Sequence, residues 1–347
     1  MKIQSTDLLN VSNKLKVEFN HLSNKHFFIT GGTGFFGKWI LESFIFLNEN
    51  YDFNINSTVL TRNSDSFAIA FPHIAFHKNI KCFNGNVCDF TCNENHFDYI
   101  IHAATDADAK LNAENPLLML ETITKGTKRV LEFAKKQKQL KALLLTSSGA
   151  VYGKQPESIA HIKESDSFFI DINTSTAAYG EGKRLAELYC AIYAKQFNIP
   201  VKIARCFAFV GPYLPLGKHF AIGNFINNTL NNQDIIIKGD GTPLRSYMYA
   251  SDLIIWLLKI LIHGECNVPY NVGSDEAISI EALAKLVKTV HTNTNEVQVL
   301  GQKSNQPREQ YVPDISKAKN DLQLNIEIGL EEAIRKTIVF HQLNTTK

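Results

Sequence analysis

The sequence holds no apolar run long enough to cross a bilayer. The strongest candidate, residues 253–262 (LIIWLLKILI), carries a lysine and is about half the roughly 20 residues that a span needs. It reads as a buried helix. The opening MKIQSTDLLNVSNKLKVEF lacks the apolar core of a signal peptide, so the expected compartment is the cytoplasm. Charge of one sign is also missing: 36 basic and 34 acidic side chains leave a formal +2. That balance gives no case for a nucleic-acid or membrane-surface partner. Cysteine is sparse at six residues, with no Cys-x-x-Cys pair. Cys88 and Cys92 lie four apart, but no second pair follows at zinc spacing. His-Glu-x-x-His is absent as well, so the spacing predicts no metal. Internal repeats and low-complexity tracts are missing.

What is present is alternation. Residues 6–20 read as a short amphipathic helix with Leu8, Leu9, Leu15 and Phe19 near one face and Thr6 or Asp7 as its cap. Then strand-like HFFIT, STVLTR, IKCFNG, YIIHAA, KALLLTSS and VKIARCFAF alternate with helix-like GKWILESFIFLN, NPLLMLETITKGTKRVLEFAKK and AAYGEGKRLAELYCAIYAKQF. Strands alternating with helices predict an α/β fold, a doubly wound parallel sheet covered on both faces. After about Gly211 the pattern loosens into glycine- and proline-punctuated segments, which predicts a smaller C-terminal α/β lobe.

The first strand runs into FITGGTGFFGKWI, with Gly31, Gly34 and Gly37 three apart. Strand, Gly-x-x-Gly-x-x-Gly and helix form the dinucleotide-binding arrangement. Gly31 permits the turn, Gly34 lets a pyrophosphate approach the backbone, and Gly37 lets helix and strand pack closely. The helix N-terminus then offers free N–H groups to the phosphates. This makes residues 1–205 the expected dinucleotide-binding domain, with 1–22 as an appendage and 235–262 returning to it. Residues 206–234 and 263–347 make up the expected substrate lobe. Many NAD-binding folds place an acid after the second strand. Here Thr61 and Arg62 stand there, and Asp65 comes late. A guanidinium pairs with a 2′-phosphate, so NADP(H) is favoured over NAD(H).

Ser147 and Ser148 end the strand KALLLTSS, and Tyr179 and Lys183 lie four apart in YGEGK. On a helix that spacing shares a face. An ammonium beside a phenol lowers its pKa by roughly 1–3 units, toward the range where proton transfer is useful. A strand-end serine could hold a carbonyl against that tyrosine.

Together these residues resemble an extended short-chain dehydrogenase/reductase of the nucleotide-sugar epimerase/dehydratase family. The likeness extends through IIHAAT, SSGAVYG, ARCFAFVGP, GDGTPLRSYMYASDL, YNVGS and ISKAKNDL. It implies a Rossmann-type fold, with Tyr179 as acid/base, Lys183 tuning it and touching the nicotinamide ribose, and Ser148 orienting the reacting sugar oxygen. It also implies a cofactor site built from Gly31, Thr33, Gly34, Phe35, Phe36, Gly37, Thr61, Arg62, Asn86, Val87, His102, Ala103, Ala104 and Thr105, together with Tyr179 and Lys183. Ser147, Ser148, Asn224, Arg245 and Arg308 would contact a nucleotide-diphosphate sugar, the two arginines at its diphosphate. A homodimer through a four-helix bundle is implied, with 114–137 and 176–197 as the pairing helices.

Family dehydratases read Thr-Asp-Glu-Val-Tyr-Gly where this chain has Ser148-Gly149-Ala150-Val151-Tyr152-Gly153, and decarboxylases keep a glutamate at the Ala150 position. Gly149 and Ala150 cannot exchange protons, which disfavours both reactions. The 4-epimerases read Ser-Ala-Thr-Val-Tyr-Gly, a closer match. The Arg-x-Phe-Asn pattern is Arg205-Cys206-Phe207-Ala208, and Ile123 replaces an asparagine before Gly126-Thr127. The favoured expectation is NADP(H)-dependent reduction of a 4-keto nucleotide sugar on the way to a polysaccharide. The alternative is an NAD-dependent 4-epimerase.

Overall fold

The computed structural model describes residues 2–105, 109–218, 220–291, 296–302 and 307–345. Seven strands form the main sheet: β1 (His26–Thr30), β2 (Asn56–Thr61), β3 (Ile80–Asn84), β4 (Tyr99–His102), β5 (Ala142–Ser148), β6 (Val201–Cys206) and β7 (Pro269–Val272). Their order is β7-β6-β5-β4-β1-β2-β3, and every neighbouring pair is parallel. This is the doubly wound Rossmann arrangement that the alternation predicts.

Strand periodicity divides the core into two faces. Phe27, Ile29, Val59, Ile101 and Leu144 face one cluster, while Phe28, Leu60, Ile100, Leu143 and Leu145 face the other. The first face is covered by α1 (Ser5–Leu15), α2 (Phe35–Tyr51) and α6 (Ala250–His263). The second is covered by α3 (Pro116–Ala134) and α4 (Ala178–Phe197). The central strands β1 and β4 are buried on both sides, as a sheet covered by helices requires, whereas the edge strand β3 exposes Lys81 and Asn84. The 253–262 run lies wholly within α6, with Leu253, Trp256, Leu257 and Ile260 fully covered. Among the described residues no helix is long and apolar enough to cross a membrane.

Three details differ from the sequence reading. In α1 the cap position is Gln4, without a side-chain cap. Leu8, Val11 and Leu15 are buried, but Leu9, one position off that helix face, and Phe19, beyond the 3₁₀ turn at Lys16–Glu18, are exposed. The division at residue 263 would put β7 in the smaller lobe, yet β7 pairs with β6 in the main sheet.

The smaller lobe gathers α5 (Ala221–Leu230), α7 (Ile280–His291) and α8 (Leu330–Thr345). It also carries a three-stranded sheet in which Leu244–Arg245 is flanked by Ile278–Ser279 and Gln310–Tyr311. The N-terminal arm is tied down through Asp7, which accepts from the Tyr249 hydroxyl at 2.7 Å and from Lys336 of α8 at 2.8 Å.

Candidate active site

The glycine loop joins β1 to α2 at the carboxyl ends of the strands. Gly31 has φ +74°, and a Cβ there would lie 2.4 Å from the Ala103 carbonyl oxygen, so no side chain fits. Gly34 is the N-cap of α2, and its N–H donates to Gly31 O at 3.0 Å. Thr33, Phe35 and Phe36 are half-buried around it. A Cβ on Gly37 would sit 2.2 Å from Gly32 Cα. The third glycine therefore lets the first turn of α2 press on the loop itself rather than on the strand. Gly37→Ala forces backbone to move. The expected result is a loss of about 1–3 kcal/mol of stability with weakened dinucleotide binding, read by thermal melting and by titration calorimetry.

Around this loop, Thr30 carries two connections. Its Oγ1 lies 2.8 Å from His102 Nδ1 and accepts from Ala104 N at 3.3 Å. His102 Nε2 lies 3.1 Å from Thr127 Oγ1. Both ring nitrogens are thus used inside the protein, and burial lowers the imidazole pKa to about 3. Where the family likeness implies a cofactor contact, the His102 ring spends both nitrogens bracing β4 against β1 and α3. Ala103 N donates to Thr30 O at 3.1 Å. Val87 is buried beneath Gly126 of α3. Asn86 is exposed and accepts from Cys88 N at 3.0 Å. At the tip of β2, Thr61 is buried and Arg62 is exposed.

The reactive group sits where β5, α4 and β6 meet. Ser148 ends β5, and its Oγ accepts from Ala150 N at 3.2 Å. Tyr179 and Lys183 occupy the first two turns of α4, with Lys183 Nζ 5.9 Å from the Tyr179 ring centroid. Lys183 donates to Thr105 Oγ1 at 3.2 Å and to Thr146 O at 2.9 Å, so those oxygens, not the phenol, hold the ammonium. Burial lowers its pKa to about 8. Tyr179 moves in the direction opposite to the sequence expectation: burial raises it to about 12, and the Ser148 hydroxyl pulls it back only in part. The cofactor-free protein therefore holds Tyr179 as a neutral acid. Tyrosinate absorbance compared between wild type and Tyr179→Phe is expected to show no ionisation of this group below about pH 10. An oxidised dinucleotide, with its cationic ring, is expected to move that titration down by about 1–3 units.

Ser147 points the other way, as adjacent strand residues must. Its hydroxyl donates to Glu187 Oε1 on α4, so Ser147 does not face the substrate side as expected. Glu187 also receives Arg205 through Nη2 at 2.7 Å and Nε at 3.0 Å.

A residue without any local sequence signal completes the cluster. Tyr311 reaches across from the smaller lobe and lies beside Ser148. A Cβ on residue 149 would be 2.5 Å from the Tyr311 hydroxyl oxygen and 2.8 Å from the Phe207 ring. The space that an acid would need at that position is filled. Tyr311 also lines a cavity of about 310 Å³ with Gly153, Lys154, Gln155, Arg245 and Glu309. Arg245 pairs with Glu309 at 3.5 Å. Arg308 is exposed, Asn224 is half-buried in α5, and neither lines this cavity.

A glycine loop at a helix N-terminus and a serine–tyrosine–lysine cluster in which Ser148 and Lys183 are buried and Tyr179 half-buried, both at the carboxyl ends of a parallel sheet, define a dinucleotide-binding enzyme architecture. The model of the NAD dependent epimerase/dehydratase family matches residues 27–273, and the chain belongs to that family. UDP-glucuronic acid decarboxylase 1 of Xenopus tropicalis is 30% identical over 328 residues, covering 92% of this chain and 74% of that protein. Among solved structures, a UDP-glucose 4-epimerase of Thermotoga maritima with UDP-glucose superposes at a TM-score of 0.78, with 22% identity, over 92% of this chain and 99% of that one. A UDP-glucuronic acid 4-epimerase of Bacillus cereus, in complex with UDP-glucuronic acid and NAD, gives 0.75 and 21%, over 92% and 99%.

Proposed function

We propose that the protein is an NAD-dependent nucleotide-sugar 4-epimerase. Tyr179 would take the proton from the sugar 4-hydroxyl and later return it to the same oxygen, while a bound nicotinamide dinucleotide would supply reversible hydride acceptance, the hydride returning to the opposite face of C4. The observation that carries this reading is the occupied space at Gly149. With Tyr311 and Phe207 packed there and Ala150 beside it, positions 149 and 150 supply no acid, and Tyr179, which shares its helix with Lys183, is the group placed to exchange the proton. One such group suffices for oxidation and re-reduction at one carbon, whereas elimination needs more. This displaces NADP(H)-dependent 4-keto reduction as the preferred reading. An epimerase regenerates its own cofactor, and the Bacillus cereus 4-epimerase holds NAD. NADP, suggested by Arg62, is the competing cofactor.

UDP-sugars are the proposed substrate class, with the diphosphate end in the cavity that Lys154 of the main domain shares with Arg245. UDP-glucuronic acid is the first to test, because both the decarboxylase relatives and the Bacillus cereus enzyme are named for it. Decarboxylation is the second reading, supported by those relatives: C4 oxidation makes a β-keto acid, which can lose carbon dioxide. The purified protein is incubated with UDP-glucuronic acid, UDP-glucose and NAD, and the products are read by proton NMR. A C4 epimer with no net NADH and no carbon dioxide supports the proposal. A pentose nucleotide supports decarboxylation, and NADPH consumption on a 4-keto sugar restores the reductase.

The reading includes a cytoplasmic homodimer. α3 and α4 pack together and expose Leu117, Leu118, Leu188 and Ile192, a shared apolar face that a second copy would cover. Sedimentation at micromolar protein is expected to give a dimer, and Leu188→Lys is expected to shift it toward monomer.

A further inference from the structure

A second cluster of chemistry-bearing side chains lies at the opposite end of the sheet, where β1 and β4 begin. Glu18 closes the 3₁₀ turn Lys16–Glu18, His21 follows in the one-turn helix Phe19–Leu22, and His263 is the last residue of α6. One donor atom from each lies within 4.8 Å of the other two. His263 Nε2 is 2.8 Å from Glu18 Oε2, and the two imidazole rings stand 5.2 Å apart at 77°. Glu18 is 4% exposed. Its other oxygen accepts from Lys259, and these two partners hold the carboxyl below its usual pKa against the cost of burial. The His21 carbonyl is fixed by the Tyr99 hydroxyl at 3.2 Å.

We propose that Glu18, His21 and His263 form a binding site for a divalent first-row metal ion, with Zn²⁺ as its best match. Two imidazoles and one carboxylate are a zinc donor set, with the fourth position left to water. Zinc bonds of about 2.0–2.2 Å put neighbouring donors a little over 3 Å apart, close to the separation already present between Glu18 and His263. Lys259 keeps the second carboxylate oxygen occupied and so orients the ligand oxygen, as outer partners do. Its positive charge weakens the site, and the Glu18 charge offsets that. Two ligands come from the N-terminal arm and one from the main domain, so the ion would clamp the arm onto α6. Motif spacing does not reveal it, because 242 residues separate His21 from His263.

The test uses the full chain, stripped with chelator and titrated with Zn²⁺ against a chromophoric competitor, with melting followed in parallel. One equivalent should bind and raise the melting temperature, since a ligand of the folded state stabilises it by mass action. His21→Ala and His263→Ala should each weaken binding by at least about tenfold, the loss that even an outer-shell partner produces. His21 is exposed, and its ring contacts the His263 ring, so its replacement leaves the fold intact. His26, Glu94 and His96 form another donor trio, but a ring nitrogen of His26 is already held by Thr58 at 3.0 Å, and Glu94 is only half-buried where Glu18 is buried. His96→Ala should therefore bind Zn²⁺ as wild type does. Failure to take up one equivalent, wild-type affinity in both His21→Ala and His263→Ala, or an equal loss in His96→Ala would each overturn the site.

Discussion

Tyr179→Phe is expected to reduce turnover on any accepted UDP-sugar by about 10²–10⁴-fold, the span that a positioned proton-transfer group supplies. Dinucleotide affinity and melting temperature should stay near wild type, because the ring remains and only a hydroxyl is lost. The effect should fall on kcat with little change in KM, as for an interaction made in the transition state. The reason lies in the surroundings of the phenol. Burial raises it to about 12, and the nearest ammonium donates to the Thr146 carbonyl and Thr105. The free protein therefore stores the tyrosine as an acid, and its use as a base depends on charge arriving with the oxidised cofactor. Ser148→Ala tests the same arrangement from the other side. It removes the hydroxyl that favours the phenolate, so its loss should be smaller and should ease as pH is raised. Equal turnover by Tyr179→Phe and wild type would dismiss Tyr179 as the proton carrier, whatever the product.

The parts of this site that were legible in the sequence are those whose partners are close along the chain. The glycine loop and the Tyr179–Lys183 spacing need only local periodicity. Ser148 was readable as a strand end, and strict alternation could have turned Ser147 away from the cleft as well. Other features depend on contacts between distant segments. Lys183 lies on the expected helix face, but Thr105 and Thr146, contributed by the β4 and β5 region, capture its ammonium. Tyr311 meets Gly149 from a strand 162 residues downstream, and no pattern around either residue announces it. The His102 ring fits the cofactor motif, yet its two nitrogens are used by Thr30 and Thr127. Likewise β7 is four residues long, too short to show periodicity, so its place in the main sheet emerges only from pairing with β6.

Glu187→Ala is expected to lower stability by about 3–5 kcal/mol, the cost of leaving a buried partner's charge uncompensated. Glu187 and Arg205 side chains are 13% and 15% exposed, and their fork of hydrogen bonds also takes in Ser147 at the end of β5. Arg205 additionally donates to the Glu164 carbonyl at 3.0 Å and lies 4.7 Å above the Tyr152 ring. Tyr152 in turn donates to Asn271 Oδ1 of β7 at 2.6 Å. The pair thus ties β5, α4, β6 and β7 together immediately behind Ser148. Urea unfolding should show the midpoint fall without a change in slope. Glu187→Gln, which keeps an acceptor for Ser147 and Arg205, should lose clearly less. Replacing both residues with apolar ones of similar volume should recover much of the stability, because an ion pair taken out whole leaves no orphaned charge. Turnover should not recover in that double variant. Ser147 loses its anchor there, and the strand end that presents Ser148 to Tyr179 is free to shift, a displacement on the order of 1 Å being enough to cost about 10²-fold. A double variant as active as wild type would reduce this network to a stability element with no hold on the reacting groups.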